Sequence, residues 1–426
     1  MLPAPATYLT LALMAWSPTQ AQDTTPPPPP QPQPDLGSLL GVYANLSTFH
    51  GLLQQHPDIL LQLPSYAGVT VVAPSNDAFA KLGTAWDPKN ASLVTAMLQY
   101  HLLQGTVAAA SLSAGPSTFA PTLLAAAAST NVTGGQNVIL NVQPGPVVVL
   151  TSGAGSRSTV VQPDVPFAGG LVQVVDALLV PPPRLELVAR DAYTDLMAFL
   201  AALFAAGLVD EFAAARDVTI FAPRSAAFQA VAPALTALAP DDLRAVLRYH
   251  LVPGAVRPSA RLTNGTLYAT ALDTSATSTS NSSAPPKLRL TRAGNSMWVD
   301  TAQVIQPDIL LANGVVHMVD AVLNPHNAAA AAARPNPALA AQPPAFAPAA
   351  GPTGTAAPTP FTAFLPCTTS HCPVTTAAGN ATGRASTTAA GVRTSSSRGG
   401  AAPPRPRCTG AVGVLGLGWG LVVGAL

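Results

Sequence analysis

Apolar positions in the middle of the chain switch between two spacings, and they do so twice. Leu36, Leu39, Leu40 and Tyr43 fall at helical spacing, continued by Phe49, Leu52 and Leu53. Leu196, Phe199, Leu200 and Leu203 repeat the pattern, with Thr194 placed to cap the helix and Gly207 to stop it. A short apolar run follows in each half, Val69 to Ala73 and Val218 to Ala222, which predicts a buried strand ended by proline. Ser75 and Ser225 then stand where a side chain caps the turn that carries Phe79 or Phe228. Next comes an amphipathic helix with a buried stripe of Val94, Met97, Leu98 and His101, or of Leu243, Val246, Leu247 and His250. Asp241 and Asp242 lie at the positive end of the second of these helices. Strand-like stretches close each half: Val138 to Val142, Val147 to Leu150 and Thr159 to Val161, then Lys287 to Thr291, Met297 to Val299 and Val304 to Ile305. Helices first and strands last predict an α+β class.

The two halves match residue for residue. TVVAPSNDAF at Thr70 returns as TIFAPRSAAF at Thr219, and LQYHLLQG at Leu98 returns as LRYHLVPG at Leu247. GGLVQVVDALLVP at Gly169 returns as NGVVHMVDAVLNP at Asn313. Pro74 and Pro223 are 149 positions apart, as are His101 and His250, whereas Asp176 and Asp320 are 144 apart. The same domain is therefore encoded twice, the second copy being five residues shorter between its last two blocks.

These three blocks, in this order, resemble the fasciclin-like domain, and the resemblance covers roughly Leu36 to Pro325. It implies two tandem domains, each a strongly twisted pair of β-sheets with several helices, in a cell-surface setting. In related domains the Tyr-His pair, here Tyr100 with His101 and Tyr249 with His250, is associated with adhesion. The helical stripe supports a different role for these histidines, as core residues bonded to backbone. Pro307, Asp308 and Ile309 resemble an acidic segment linked to integrin adhesion in animal members, with Gln306 where Glu is usual. The first copy has Pro163, Asp164 and Val165 there. On the adhesive reading Asp308 is an exposed loop carboxylate; on the structural one it sits in a turn and caps backbone groups. The family's Asn after the Ser or Thr is kept as Asn76, whereas the second copy reads Arg224, Ser225 and Ala226, so its side-chain network is expected to differ.

Composition adds the setting. Of 426 residues only 9% are charged, with a net charge of +1, which leaves no electrostatic footprint for nucleic acid. Residues 1–21 read as a secretory signal, 22–35 as a proline-rich linker, 36–182 and 183–325 as the two domains, joined stiffly at Pro181, Pro182 and Pro183. Residues 326–397 form a Pro/Ala/Ser/Thr-rich stalk too poor in large apolar residues to fold, long enough when extended to reach about 200 Å. Residues 398–426 have the layout of a removable glycosylphosphatidylinositol (GPI) attachment signal, with Ser396 and Ser397 as attachment candidates and a weak tail anchor as the alternative. Cys408 falls in that tail, leaving Cys367 and Cys372 as a candidate disulfide in the stalk; zinc at this pair and His371 is a weaker alternative. Sequons at Asn45, Asn90, Asn131, Asn264, Asn281 and Asn380 are N-glycosylation candidates.

Catalysis lacks a recognisable set of groups. Only two glutamates occur, Glu186 and Glu211, and the seven histidines are scattered. The repeated Asp176 and Asp320 are placed for structural hydrogen bonding at the end of a closing strand. No catalytic residue, cofactor or metal site is assigned. The function expected is a non-enzymatic, GPI-anchored surface glycoprotein in the outer leaflet or cell wall, mediating adhesion or contacts with wall or matrix glycans or surface proteins. A secreted carrier of a small apolar or lipid ligand is the alternative, and a wall-glycan remodelling enzyme a more distant one. The second domain, which keeps Asn313 and His317 where the first has Gly169 and Gln173, is expected to carry most of the binding.

Overall fold

The computed structural model describes residues 32–82, 89–275, 286–327, 334–339, 342–346 and 358–366. The stretch read as a secretory signal, residues 22–31 of the linker, most of the stretch read as a stalk, Cys367, Cys372, Asn281, Asn380, Ser396, Ser397 and the stretch read as an attachment signal lie outside the described residues.

In the first repeat the helices are α1 (Leu36–Val42), α2 (Ser47–Gln55), α3 (Pro57–Gln62), α4 (Asn76–Leu82) and α5 (Ala91–Tyr100). Its strands are β1 (Val69–Pro74), β2 (Leu102–Gln104), β3 (Thr118–Pro121), β4 (Asn137–Gln143), β5 (Val147–Thr151), β6 (Arg157–Phe167) and β7 (Gly170–Val175). The second repeat contains α6 (Leu185–Asp191), α7 (Met197–Ala206), α8 (Val209–Ala214), α9 (Ser225–Ala230), α10 (Ala232–Thr236), α11 (Pro240–Tyr249) and α12 (Ala271–Ser275). Its strands are β8 (Val218–Pro223), β9 (Leu251–Val252), β10 (Leu267–Tyr268), β11 (Leu288–Ala293), β12 (Ser296–Val299), β13 (Ala302–Leu311) and β14 (Gly314–Val319).

The sheets have the same order, β2-β1-β7-β6-β5-β4-β3 and β9-β8-β14-β13-β12-β11-β10. All neighbours are antiparallel except the central pairs β1–β7 and β8–β14. β6 explains how one sheet makes two layers: Arg157 to Thr159 pair with β5, the remainder pairs with β7, and the register against β7 shifts twice between Val160 and Val165. In the first domain the outer edges also meet, because Leu103 bridges Thr122 and the Leu123 amide donates to the Leu102 carbonyl at 2.8 Å. The sheet thereby closes into a barrel-like shape and hides edges that would otherwise invite pairing.

Each domain has two apolar clusters, one under the helices and one inside the barrel. On β1, Val69, Val71 and Ala73 join the helical layer while Val72 joins Tyr100, Leu140 and Leu150 inside. On β8, Val218, Ile220 and Ala222 face helices while Phe221 faces Tyr249 and Val299. A strand covered on both faces needs an uninterrupted apolar run, which is what Val69–Ala73 and Val218–Ala222 supply. Gly170 and Gly314 open the closing strands because a Cβ there would collide with the carbonyl oxygens of Val69 and Val218.

Part of the stretch read as an unfolded stalk packs on the second domain, with Phe346 and Leu365 buried in its helical cluster and Gln229 donating to the Thr359 hydroxyl at 2.7 Å. Three further local expectations change. β6 and β13 run on through Pro163 and Pro307 instead of ending at Val161 and Ile305, because Asp164 (φ 55) and Asp308 (φ 65) form left-handed bulges that leave the prolines outside the ladder. Thr194 does not cap α7; it opens a 3-10 turn, and α7 begins at Met197 without a side-chain cap. Ser75 does cap α4, accepting from the Ala78 amide at 3.3 Å, but Ser225 instead donates to the Asp195 carbonyl at 2.8 Å and accepts from the Ala198 amide at 3.3 Å. It thus stands in for Asn76, whose side chain makes three bonds, to the Thr48 amide, the Ala44 carbonyl and the Ser47 hydroxyl.

The proline junction is not the only thing joining the domains. The junction itself is held against the first domain, where the Gly153 amide donates to the Val180 carbonyl at 2.7 Å and a Cβ on Gly153 would collide with Pro182. A polar seam then forms between the loop after β3 and the end of β13. The Asn131 amide donates to the Ala312 carbonyl at 2.8 Å, and the Asp217 amide donates to the Asn131 carbonyl at 3.2 Å. Thr133 donates to the Asp217 carboxylate through its amide (2.7 Å) and hydroxyl (2.6 Å). Buried Gln136 reaches the Leu311 carbonyl at 2.9 Å.

Candidate functional site

The residues singled out by the motifs mostly turn inward. His101 and His250 are C-caps of α5 and α11 and have no exposed surface. His101 donates from Nδ1 to the Met97 carbonyl at 2.8 Å and accepts at Nε2 from the Leu179 amide at 2.9 Å. His250 does the same with Val246 (2.8 Å) and Leu323 (3.1 Å). Each ring thus ties a helix end to the segment leaving the closing strand. Both partners require the neutral form, and burial lowers each pKa to about 4.

Tyr100 and Tyr249 are equally buried, inside the barrels. Tyr100 donates to the Asn137 carbonyl at 2.9 Å. Tyr249 donates to Asp300 Oδ2 at 2.9 Å, and burial pushes the Asp300 carboxyl up to about 6 although the Arg289 amide and Tyr249 bond to it. The four Tyr and His adhesion candidates therefore offer no surface to a partner and act through the fold.

Asp308 is a correction of a similar kind. Its side chain is only 9% exposed, and it accepts from the Ser259 amide at 2.7 Å and from the Ser259 hydroxyl, capping the turn Ser259–Arg261. Asp164 caps the matching turn, Ala109–Ser111, through the amides of Ala109 (2.7 Å) and Ala110 (3.1 Å). Burial raises the Asp164 pKa, but the bonds from Gln173 and these amides outweigh it and hold it below the usual range. Ile309 is buried as well; Pro307 alone of its segment is exposed, beside Gln306 and the 41% exposed Ile305. The first domain exposes Val161 and Pro163 at the corresponding places.

The closing-strand polar residues complete the same clamp. His317, fully buried, accepts at Nδ1 from the Asp308 amide at 3.2 Å and donates from Nε2 to the Arg257 carbonyl at 2.9 Å. Gln173 accepts from the Asp164 amide at 3.0 Å and donates to the Val107 carbonyl (3.1 Å) and Asp164 Oδ1 (2.7 Å). The first domain has therefore not lost this feature; an amide supplies the donor and acceptor that a neutral imidazole supplies in the second. Asn313 is structural too, its amide reaching the carbonyls of Phe212 (2.7 Å) and Ala215 (2.9 Å).

The acidic residues are placed for structure. Asp176 and Asp320 accept from the amides of Thr159 and Gln303, each at 2.7 Å. Glu186 pairs with Arg184 at 3.0 Å, and Glu211 with Arg248 at 2.6 Å, on separate helices. Among the described residues no group of three potential metal ligands assembles. Of the sequons described, Asn45 and Asn264 are exposed, Asn90 caps α5 through the Leu93 amide at 3.2 Å, and Asn131 lies in the seam between the domains. The seam itself was not foreseen, because it joins loops that have no common motif.

Comparison with known proteins agrees with this architecture. The Fasciclin domain family profile matches residues 44–181 and 194–325. A fasciclin-like arabinogalactan protein of Arthroderma benhamiae is 30% identical over 307 residues, covering 71% of this chain and 68% of that protein. The fasciclin-like arabinogalactan protein elcF of Phaeosphaeria nodorum is 30% identical over 291 residues, covering 68% of this chain and 88% of that protein. Among solved structures, a FAS1 domain pair from the insect cell adhesion molecule fasciclin I aligns with 66% of this chain and 96% of that chain at 18% identity and a TM-score of 0.31. With both repeats matched over nearly their whole length, the chain belongs to the fasciclin-domain family, of which it carries two domains in tandem.

Proposed function

We propose that this chain is a non-enzymatic cell-surface glycoprotein that mediates adhesion or contacts with cell wall and matrix through its two fasciclin domains. The observation that carries the reading is the match of both domains to fungal proteins named fasciclin-like arabinogalactan proteins. The chemistry of the fold is consistent with it, since the repeated histidines and carboxylates are tied to backbone or paired. Export, N-glycans on exposed Asn45 and Asn264, an O-glycosylated stalk and a lipid anchor complete the proposal, with wall or matrix glycans or surface proteins as partners.

The contact surface we assign is the exposed face of the bulged strand, Ile305, Gln306 and Pro307, with Val161 and Pro163 as its weaker counterpart. An apolar pair on a bulge is rigid and reachable, which the buried motif residues are not. The test is adhesion of cells or wall fragments to the full chain carrying Ile305→Asp and Pro307→Asp. Binding should drop severalfold with an unchanged melting temperature. Undiminished binding moves the contact elsewhere, and binding by the stalk alone removes it from the domains.

A further inference from the structure

The seam between the domains is built on a sequon. Asn131, Val132 and Thr133 form an Asn-X-Thr triplet in the loop after β3. The backbone amide and carbonyl of Asn131 both bond to the second domain, and Thr133 gives its amide and hydroxyl to the Asp217 carboxylate. The side chain of Asn131 is left out of this network: it is half-buried, has no protein partner among the described residues, and its amide is not sealed from solvent. Directly beside it a cleft of about 320 Å³ opens between the domains. Val132 and Thr133 line it themselves, with Phe119 and Pro121 of β3 on their side and Asp217 and Arg261 on the other. The Arg261 guanidinium is exposed and has no partner among the described residues.

We propose that Asn131 carries an N-glycan whose core sugar lies in this cleft as a third component of the domain interface. Order of synthesis opens the sequon to modification. Asp217 follows Thr133 by 84 residues and Ala312 follows Thr130 by 182, so both seam partners leave the ribosome after the triplet. At about 5–20 residues per second the nearer one is roughly 4–17 s behind. In that interval the Thr133 hydroxyl is not yet held, and Asn131 Nδ2 can attack the anomeric carbon of a lipid-diphosphate-linked oligosaccharide. The new C–N bond replaces the C–O bond to diphosphate, the lipid diphosphate leaves, and Nδ2 gives up one proton. Once the second domain docks, Asp217 takes the Thr133 amide and hydroxyl and the triplet is closed to further addition. The attached sugar then has a site within reach: its C–H faces pack on Phe119 and Pro121, and its hydroxyl and N-acetyl oxygens accept from Arg261. Because the sugar is tethered, its effective concentration is high and the cleft needs little affinity for free glycan. Such a glycan requires the export put forward above and is independent of adhesion.

The test produces the full chain in a eukaryotic secretory host behind that host's own signal, so the glycosylating enzyme is met whether or not residues 1–21 direct export. Secretion driven by residues 1–21 is scored separately and bears only on the proposed function. Peptide mass spectrometry should find Asn131 occupied. An endoglycosidase that cuts within the glycan core should act at Asn131 severalfold more slowly on the native chain than on the denatured one, and more slowly than at exposed Asn45 and Asn264. Arg261→Ala should relieve that protection with an unchanged melting temperature, since the side chain it removes bonds to no described residue. Asn131→Gln keeps the backbone bonds of the seam and should raise hydrogen exchange over residues 130–136, whereas Asn45→Gln should not. An unmodified Asn131, a glycan cut as fast from the native as from the denatured chain, protection that survives Arg261→Ala, or exchange unaltered by Asn131→Gln would overturn the proposal.

Discussion

The first and second domains hold the same interior positions with different chemistry. Where the first clamps its aspartate bulge with Gln173, the second uses His317; where Tyr100 donates to a backbone carbonyl, Tyr249 donates to the buried carboxyl of Asp300. The sheet order, the two-layered core and the His101 and His250 staples are shared. A fold of this kind therefore fixes where a donor and an acceptor are needed but not whether the group supplying them titrates. At these two positions the second domain carries buried titratable groups, Asp300 and His317, that the first domain lacks.

The shared staples should matter most and should erase the difference. His101→Ala or His250→Ala leaves a cavity at a helix end and an unpaired buried amide, at Leu179 or Leu323, and should cost about 2–4 kcal/mol in the affected domain. Hydrogen exchange followed by mass spectrometry on the full chain resolves the two domains. Equal protection losses are expected; a loss in one domain alone would show that the staples are not equivalent.

The bulge aspartates come next. Asp308→Ala and Asp164→Ala each remove a cap from a 3-10 turn and should destabilise their own domain by about 1–2 kcal/mol. Wild-type stability with lost adhesion after Asp308→Ala would restore that carboxylate as a contact residue. A change of similar size and opposite sign, confined to high pH, is expected from Asp300→Asn. Asp300 is harder to ionise when folded, with a pKa near 6 against 3.8 unfolded, so it favours the folded state in acid and loses that contribution as pH rises from about 4 to 6. Removing the charge should stabilise the second domain by about 1–2 kcal/mol at pH 8 and by almost nothing at pH 4. The neutral Tyr100 site offers no equivalent gain.

What the sequence made legible was whatever is local and repeated. The helical stripes, the doubly covered strands and the glycine openings recur at fixed offsets, and the physical need behind each is met within a few residues. The seam was not legible, because Gln136 and Asp217 acquire partners only when two unlike loops are brought together by the fold. Exposure at the Pro307 segment was misread for a related reason: a left-handed Asp308 inside a continuing strand turns its carboxylate inward, and residue type alone does not report φ. The equivalence of Gln173 and His317 was visible in the numbering, 144 apart like Asp176 and Asp320, but a comparison by residue type counted it as a loss.

That pair supplies the smallest and most specific test. His317 faces the Asp308 carboxylate, 3.9 Å from Nδ1, lies near Arg292 and stacks on Phe221 at 5.4 Å; burial lowers its pKa, with Asp308 opposing and Arg292 assisting. Protonation would turn Nδ1 into a donor facing the Asp308 amide, itself a donor, so the clamp needs the neutral ring. A histidine harder to protonate when folded contributes stability that is complete above its unfolded pKa of about 6.5 and lost as pH falls below it. His101 and His250 lose theirs over the same approach to their folded values near 4, one in each domain, so they cancel from the comparison. Between pH 7.5 and 6 the second domain should therefore lose protection faster than the first. His317→Gln should remove the excess while leaving stability at pH 7.5 within about 1 kcal/mol, since an amide also reaches both partners and can add the bond that Gln173 makes to its aspartate. Asp300 acts in the opposite direction below pH 6, so the difference should narrow again toward pH 4. If the pH dependence survives His317→Gln unchanged, the sensitivity of the second domain resides outside this clamp.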